Sequence, residues 1–369
     1  MIITLDGAPA SANVITATAP LVAHMTGTVP VDKTTYQDGT LEIVADGGRV
    51  LYAHTPRFKG RGNTTWGAPK KPFKVRTLDR LQTPFGYAAS RDWALMADWF
   101  DESYLRSTIG FELYRRATGR WAPHSRHVWL DWPGAVTAGG LYRFSETVDV
   151  QAGRVDIRKM EPTDISGGAL TGPYFVETDD YFDSPGFRSA AGTPVAWDTP
   201  EAPAPEQAAY MAAWVDATET ALLTGTPAEI AARIDLPSFV DWYLLMEFVK
   251  NWEGRWYKSI KWMKDQYAGT GRAVMQTPWD MDLTLGRTWG GGTDDPPTGW
   301  AVRNGAYAGG AASGRPNWFY LLWERWPDFR TACRQRWDTA YAPALAGMWP
   351  WINDVADSIS GYVAPDRAR

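Results

Sequence analysis

The chain has 369 residues, 44% of them hydrophobic and 21% charged, so it can bury the core of one large domain or of two lobes. Its formal net charge of -5 argues against a general binder of nucleic acids or anionic membranes. The single cysteine, Cys333, excludes an internal disulfide, and we interpret it as a packing residue.

The sequence shows no apolar run long enough to cross a bilayer, and no basic segment followed by an apolar run at its start. We therefore expect a soluble protein without a signal peptide, either cytoplasmic or virion-associated. The chain is also rich in tryptophan, with 21 residues of this type. Because many of them fall inside predicted helices and strands, we expect most to pack in the core.

The first part of the chain is rich in predicted strands. Residues 1–38 carry few charges and predict short strands or an extended arm. Alternating apolar residues predict a hairpin over 40–53 that turns at 46–48. Apolar residues at helical spacing predict a helix from Ser103, with Asp101 as its cap. The other strands predicted in this part are 71–76, 126–132, 140–150 and 174–177.

The second part is mainly helical, so the sequence predicts an α+β protein with two lobes. The predicted domains are an arm over 1–38, an N-lobe over 39–160 and a C-lobe over 161–369, with a ligand expected in the cleft between the lobes. A glycine-rich excursion over 290–315 is too long for an ordinary connector and predicts a lid or a surface loop. The predicted elements are helices at 206–223, 227–234, 236–250 and 317–348, and strands at 260–264 and 272–276.

A basic loop punctuated by glycines lies between two predicted strands of the N-lobe. It contains Arg61 and Asn63, and its backbone N–H groups and arginine suit the oxygens of a phosphate. Phosphoryl transfer also needs a fixed ammonium group on the phosphates. Lys74 on the next strand can supply it, and Lys71 is the alternative.

A lysine that binds phosphate is commonly oriented by a carboxylate. Glu146, on a strand of the same predicted lobe, can pair with Lys74, and its rival is Glu112 on the helix that begins near Ser103. The sequence leaves both carboxylates open as partners.

Two acidic segments of the C-lobe are candidates for metal binding and proton transfer. Asp280 and Asp282 would share one face of an extended strand, where their oxygens suit Mg²⁺, although a solvated turn or a helix cap is the alternative. Asn251 can add an amide oxygen to the metal. Glu253, two residues later, can accept a proton from an acceptor hydroxyl.

Several motifs, in the same order along the chain, resemble those of the CotH kinase family, the spore-coat-type atypical protein kinases. The segments 61–66 (Arg-Gly-Asn-Thr-Thr-Trp) and 69–74 (Pro-Lys-Lys-Pro-Phe-Lys) are similar to the family's sequence signature. Similar motifs continue from about residue 57 to residue 286. They include 95–98 with 104–106, 122–126, 140–142 with Glu146, 250–251 and 279–282.

The resemblance implies a kinase-like two-lobed fold, with a strand-rich N-lobe and a helix-rich C-lobe. It also implies transfer of the γ-phosphate of ATP, with Mg²⁺ or Mn²⁺, to serine or threonine of a protein. The expected partners are a protein substrate or a structural protein, with no nucleic acid and no membrane. The implied roles are ATP binding by Arg61, Asn63, Lys71, Lys74 and Glu146, metal binding by Asn251, Asp280 and Asp282, and catalysis by Glu253 and Asp280.

One position departs from the family pattern. The family usually has an aspartate two residues after the asparagine, where this chain has Glu253. The longer side chain can displace the carboxylate by about 1 Å, which can cost on the order of a hundredfold in rate. An alternative function is therefore a catalytically weak or inactive kinase-like binding protein, such as a phage virion (tail) component. A third is a carbohydrate-processing enzyme that uses Glu253 and Asp280 as its carboxylate pair.

Overall fold

The computed structural model describes residues 20–45, 48–81, 85–266, 269–287, 298–302 and 315–369. Most of the predicted excursion over 290–315 and the first half of the predicted arm lie outside these residues. The strands are β1 (Leu21–Gly27), β2 (Gln37–Ala45), β3 (Arg49–His54), β4 (Arg57–Gly60), β5 (Phe73–Leu81), β6 (Ser90–Met96), β7 (Ser125–Asp131), β8 (Gly140–Glu146), β9 (Tyr174–Thr178), β10 (Gly186–Arg188), β11 (Pro194–Thr199), β12 (Ile260–Lys264) and β13 (Ala273–Met275).

The helices are α1 (Thr64–Gly67), α2 (Arg106–Thr118), α3 (Gly167–Leu170), α4 (Pro205–Thr224), α5 (Pro227–Ala231), α6 (Leu236–Phe248), α7 (Trp318–Arg325), α8 (Pro327–Arg336), α9 (Ala342–Ala346) and α10 (Trp349–Arg367). A π-helical turn, Trp337–Tyr341, joins α8 to α9. In the part of the chain that the structure describes, no helix is long and apolar enough to span a membrane.

The chain forms two compact units that interleave along the sequence. Unit 1 contains 1–108, 123–148 and 348–369, and unit 2 contains 109–122 and 149–347. The last helix, α10, therefore belongs to the same unit as the first strands.

In unit 1 the strands form a closed sheet, with the order β1-β7-β8-β6-β5-β4-β2 and a second pairing of β1 with β2 that completes the barrel. Strand β3 extends the sheet from β2. Residues at period two point inward, as Leu41 and Ile43 do in β2, while Glu42 between them is exposed. Aromatic side chains such as Phe73, Trp93 and Phe144 fill the interior.

The closed sheet overturns the predicted kinase-like two-lobed fold, although the α+β class agrees with the structure. The sequence predicted a strand-rich N-lobe and a helix-rich C-lobe. The structure instead has a barrel in one unit, and a separate five-stranded sheet with helices in the other. Closure depends on β1, which pairs in parallel with β7 more than 100 residues away (Leu21 opposite Val128). A pairing of that sequence separation leaves no local pattern in the sequence.

Unit 2 contains a five-stranded sheet with the order β10-β11-β9-β12-β13. Helix α6 is almost entirely buried and packs on α8 and β13. Asp235 caps its N-terminus: the carboxylate accepts a hydrogen bond from the N–H of Ser238 (3.1 Å). The core beside it is aromatic: the rings of Trp256 and Trp318 stack with centroids 4.2 Å apart.

Candidate functional site

The predicted phosphate loop of unit 1 is held firmly between β4 and β5. The N–H of Arg61 donates to the carbonyl of Pro72 (3.2 Å), and a Cβ at Gly60 would lie 2.5 Å from the ring of Trp66. Lys71 donates to the carbonyl of Trp66 (2.6 Å), with its ammonium group 5.3 Å from the centre of the same ring. The loop therefore has a fixed backbone.

The predicted phosphate ligands each have a partner in unit 1. The guanidinium of Arg61 donates to the sulfur of Met96 (2.6 Å), and the amide oxygen of Asn63 accepts from the ammonium group of Lys33 (2.7 Å). Lys74 forms an ion pair with Asp92 (3.2 Å). Of these side chains, Lys74 stands on the outer face of the barrel.

The structure does not place Glu146 beside Lys74, as the sequence predicted. In the register of β5, β6 and β8, Lys74 lies opposite Ala94, whereas Glu146 lies opposite Trp93. Trp93 is part of the barrel core, so Glu146 and Lys74 face opposite sides of the sheet. The carboxylate of Glu146 accepts from the N–H (2.9 Å) and interacts with Nδ1 (2.8 Å) of His124.

The rival carboxylate, Glu112, is part of α2 and forms ion pairs on that helix. Its oxygens contact Arg115 (2.7 Å) and Arg116 (2.6 Å) at i+3 and i+4. Both ion pairs lie within the helix.

In unit 2, three carboxylates act electrostatically on Glu253, and we call the four together the acidic cluster: Glu177, Asp179, Glu253 and Asp280. Glu177 is the second-last residue of β9 and Asp179 follows that strand. Glu253 lies in the loop between α6 and β12, and Asp280 follows β13. Ser259 connects two of them. Its N–H donates to Asp179 (3.3 Å), and its hydroxyl donates to Asp280 (3.4 Å).

The loop that holds Glu253 begins with an asparagine turn. The amide oxygen of Asn251 accepts from the N–H groups of Glu253 (2.9 Å) and Gly254 (3.2 Å). The carbonyl of Glu253 then accepts from the N–H groups of Tyr257 (3.1 Å) and Lys258 (3.3 Å). Asn251, predicted as a metal ligand, thus uses its oxygen to fix the backbone of Glu253.

Backbone strain is concentrated around the acidic cluster. Left-handed φ angles at residues other than glycine cost free energy and tend to collect at functional sites. The segment 250–285 contains several of them: Lys250 (58°), Trp256 (62°), Ser259 (56°), Asp280 (50°) and Leu285 (49°).

This strain also changes the expectation for the aspartate pair. Asp280 and Asp282 were predicted on one face of an extended strand, but β13 ends at Met275 and Asp280 has a left-handed backbone. Between them the buried Met281 packs against α2, where a Cβ at Gly110 would lie 2.4 Å from its methyl carbon. Asp280 is therefore presented by an irregular segment, with Met281 as its anchor.

Electrostatics single out Glu253 in the cluster. Burial raises its pKa to about 8, and the negative charges of Asp280, Asp179 and Glu177 act in the same direction. Lys258 opposes this increase. Its ammonium group lies 3.9 Å from the centre of the Tyr181 ring.

A buried lysine supports the strand side of the cluster. Lys261 on β12 forms ion pairs with Glu177 on β9 (2.8 Å) and with Asp198 on β11 (2.9 Å). Burial raises the pKa of Glu177 to about 7, although Lys261 opposes the shift. The ion pairs connect three neighbouring strands of the sheet.

Sequence reasoning missed Glu177, Asp179, Ser259 and Lys258. One signal was available: Asp179 and Asp180 follow a predicted strand, just as Asp280 follows another. Acidic residues that follow strands of one sheet can meet at one edge of it. In the structure β9 and β13 both pair with β12, one on each side of it, and this strand order was not visible in the sequence.

A hard cation at the acidic cluster would need ligands from outside the protein. Among the described residues, no three side chains of the His, Cys, Asp or Glu type converge closely enough to form a complete metal-binding group. Mg²⁺ commonly uses only one or two carboxylates, with phosphate oxygens and water as its other ligands. The like charges that raise the pKa of Glu253 would be relieved by such a cation. The exposed Asp280 is the carboxylate best placed to receive it.

Comparison with known proteins identifies the family. A family model described as CotH kinase protein matches residues 57–369, which is most of the chain. No curated protein matches significantly. The match begins at β4, and it includes both the predicted phosphate loop and the acidic cluster. The chain belongs to the CotH kinase family.

Proposed function

We propose that this protein transfers the γ-phosphate of ATP to a serine or threonine hydroxyl of a protein, with Mg²⁺ or Mn²⁺. Family membership supports a kinase-like protein. The observation that carries the proposal is that Asp179 and Asp280 both accept hydrogen bonds from Ser259 and both raise the pKa of Glu253, on a backbone with left-handed φ angles at Ser259 and Asp280. Backbone strain and close like charges lower the stability of a fold, and both tend to collect at functional sites.

Each residue then has a role. Asp280, with Asp282, would hold the metal ion, which would supply positive charge to neutralise the phosphates. Glu253 accepts the proton of the acceptor hydroxyl while its oxygen forms a bond to the γ-phosphorus, and the bond from that phosphorus to the β–γ bridging oxygen breaks. ADP leaves with the electron pair of that bond. A cation at Asp280 would also lower the pKa of Glu253, so that the carboxylate is ionised when the nucleotide is bound.

The second candidate is a kinase-like binding protein without turnover. It is favoured by the pKa of Glu253 at about 8, which leaves this carboxyl largely protonated at neutral pH unless a cation is bound. In this case ATP would bind, and its phosphate would stay in place.

Labelled ATP separates the two candidates. The full chain would be incubated with [γ-³²P]ATP, Mg²⁺ or Mn²⁺, and a serine-rich peptide or the protein alone. We expect transfer that is lost in Asp280→Ala and Glu253→Gln and retained in Glu201→Gln, a matched control because Glu201 is an exposed carboxylate of unit 2. Transfer that survives Asp280→Ala would reject the assigned site.

A thermal-shift measurement with ATP and Mg²⁺ completes the test. A ligand that binds only the folded state raises its stability by mass action. A shift without transfer supports the binding protein. If neither a thermal shift nor phosphate transfer occurs with Mg²⁺ or with Mn²⁺, both candidates are rejected.

A further inference from the structure

The outer face of the barrel holds four cations in a two-by-two grid, which we call the basic face: Arg57, Lys59, Lys74 and Arg76. In the register of β4 and β5, Arg57 lies directly opposite Arg76, and Lys59 directly opposite Lys74. Like charges in cross-strand pairs destabilise a sheet. Two such pairs in succession therefore cost stability in the protein alone.

An aromatic ring lies against the same cations. Tyr36, just before β2, has Arg57, Lys59 and Arg76 at 5.2, 5.1 and 5.6 Å from its ring centre. Cation–π contacts of this kind hold the positive groups in fixed positions. Tyr36 also lies outside the family match, which begins at residue 57.

Carboxylates offset part of the charge. Asp92 binds Arg76 through two hydrogen bonds (2.8 and 3.0 Å) and contacts Lys74 (3.2 Å). Asp38 lies opposite Arg57 in the register. Across the strands, the pair of Arg57 and Arg76 therefore has an aspartate on each side. The pair of Lys59 and Lys74 instead has Tyr36 on one side and Ala94 on the other. Lys74 and Arg76 thus share Asp92, whereas Lys59 forms no ion pair with any of the described residues.

The pKa of Lys59 agrees with this arrangement. Burial lowers it, the charges of Lys74 and Arg76 lower it further, and Asp92 and Asp32 act in the opposite direction. The folded protein therefore holds this ammonium group at a cost that an anion would remove.

We propose that the basic face binds an oligophosphate group, with Lys59 as a phosphate ligand beside Lys74. Neighbouring strands are about 4.8 Å apart and alternate residues about 6.8 Å apart, so the grid is longer than one phosphate and suits a chain of them. The barrel interior is filled by side chains, which leaves the outside of the sheet for a ligand. As a site for the phosphates of ATP, the inference rests on the proposed function; binding of oligophosphate itself does not.

The test compares Lys59→Gln with Arg49→Gln, a matched control because Arg49 is an exposed cation of the same unit. Unfolding temperatures would be measured for the full chain alone, with inorganic tripolyphosphate, with ATP and with single-stranded DNA. We expect Lys59→Gln to raise the unfolding temperature of the protein alone, because it removes a like-charge pair. It should also reduce the shift caused by tripolyphosphate several-fold, and Arg49→Gln should change neither.

The outcomes are distinct. A lower unfolding temperature for Lys59→Gln without ligand, or an undiminished shift with tripolyphosphate, would overturn the inference, as would a larger shift with DNA than with tripolyphosphate. If the tripolyphosphate shift depends on Lys59 and ATP causes no shift, the basic face binds free polyphosphate and not the phosphates of ATP. If phosphate transfer and the tripolyphosphate shift are both unchanged in Lys59→Gln, the proposed kinase activity stands and phosphate binding by the basic face is rejected.

Discussion

Glu253 is the residue at which stability and proposed chemistry conflict most directly. Its carboxyl titrates near 4.5 in an unfolded chain, whereas burial and the neighbouring Asp280 raise its pKa to about 8 in the folded protein. Between these values the folded state holds a proton that the unfolded state has released. Stability from this group is therefore complete below 4.5 and is lost as the pH rises toward 8.

Replacing Glu253 by glutamine should remove this pH dependence. We expect the unfolding temperature of the unmodified protein to fall more between about pH 5 and about pH 8 than that of Glu253→Gln, because the amide does not titrate. Thermal unfolding without metal measures both curves. Parallel curves would show that Glu253 is not held protonated in the folded state.

Lys258 should set the pH at which half of the stability contributed by Glu253 is lost. It is the cation that lowers the pKa of Glu253, so Lys258→Met should raise that pKa further and move the loss of stability to higher pH. Lys258→Arg keeps the charge and should restore the original midpoint. An equal midpoint in the methionine and arginine variants would contradict this role.

At the scale of elements, one aspartate fixes the last helix to the barrel of unit 1. Asp366 in α10 is buried, accepts from the ammonium group of Lys70 (2.7 Å) and from the N–H of Leu141 (2.9 Å), and is also bonded to the hydroxyl of Tyr104. A Cβ at Gly140, which has a φ of 91°, would lie 1.9 Å from its carboxylate. Only glycine fits beside this carboxylate.

Neutralising Asp366 should be strongly destabilising. Asp366→Asn leaves the ammonium group of Lys70 buried without its counter-charge, which typically costs about 3–5 kcal/mol. Denaturant unfolding would measure the change. Asp354→Asn, at an exposed position of the same helix, is the control and should change stability little. Similar losses in both variants would mean that the helix does not depend on this ion pair.

Local elements were the part of the fold that the sequence could predict. Alternation in 40–53 predicted the hairpin of β2 and β3, and helical spacing predicted α4 and α6 close to their observed ends. These patterns depend on neighbours in the chain. The predicted partner of Lys74 was wrong because the face that Glu146 occupies depends on the register between β5, β6 and β8.

The site was predictable to the same extent. Glu253 and Asp280 could be found because each stands in a short motif, and the structure places both in the acidic cluster. Asp179 and Lys258 could not, because their relevance depends on the strand order of unit 2 and on the path of the 251–259 loop. Contacts between distant segments are set by packing, which no local spacing records.

At the scale of the whole molecule, the order of segments along the chain does not follow the division into units. The segment 348–369, which follows all of unit 2 in the sequence, completes unit 1. Helix α10 packs on β8, and its Ile359 lies in a small core with Tyr104 and Leu141. The stability of the barrel should therefore depend on the last residues of the chain.

Truncation after Gly347 should accordingly loosen unit 1 and leave the core of unit 2 intact. Loss of α10 exposes Leu141 and leaves Lys70 without Asp366, so we expect amide hydrogen exchange to accelerate in 70–73 and in β8. Protection around the stacked Trp256 and Trp318 should persist, because their contacts lie within unit 2. Exchange that accelerates equally in both regions would show that the two units unfold together and that α10 stabilises the whole chain.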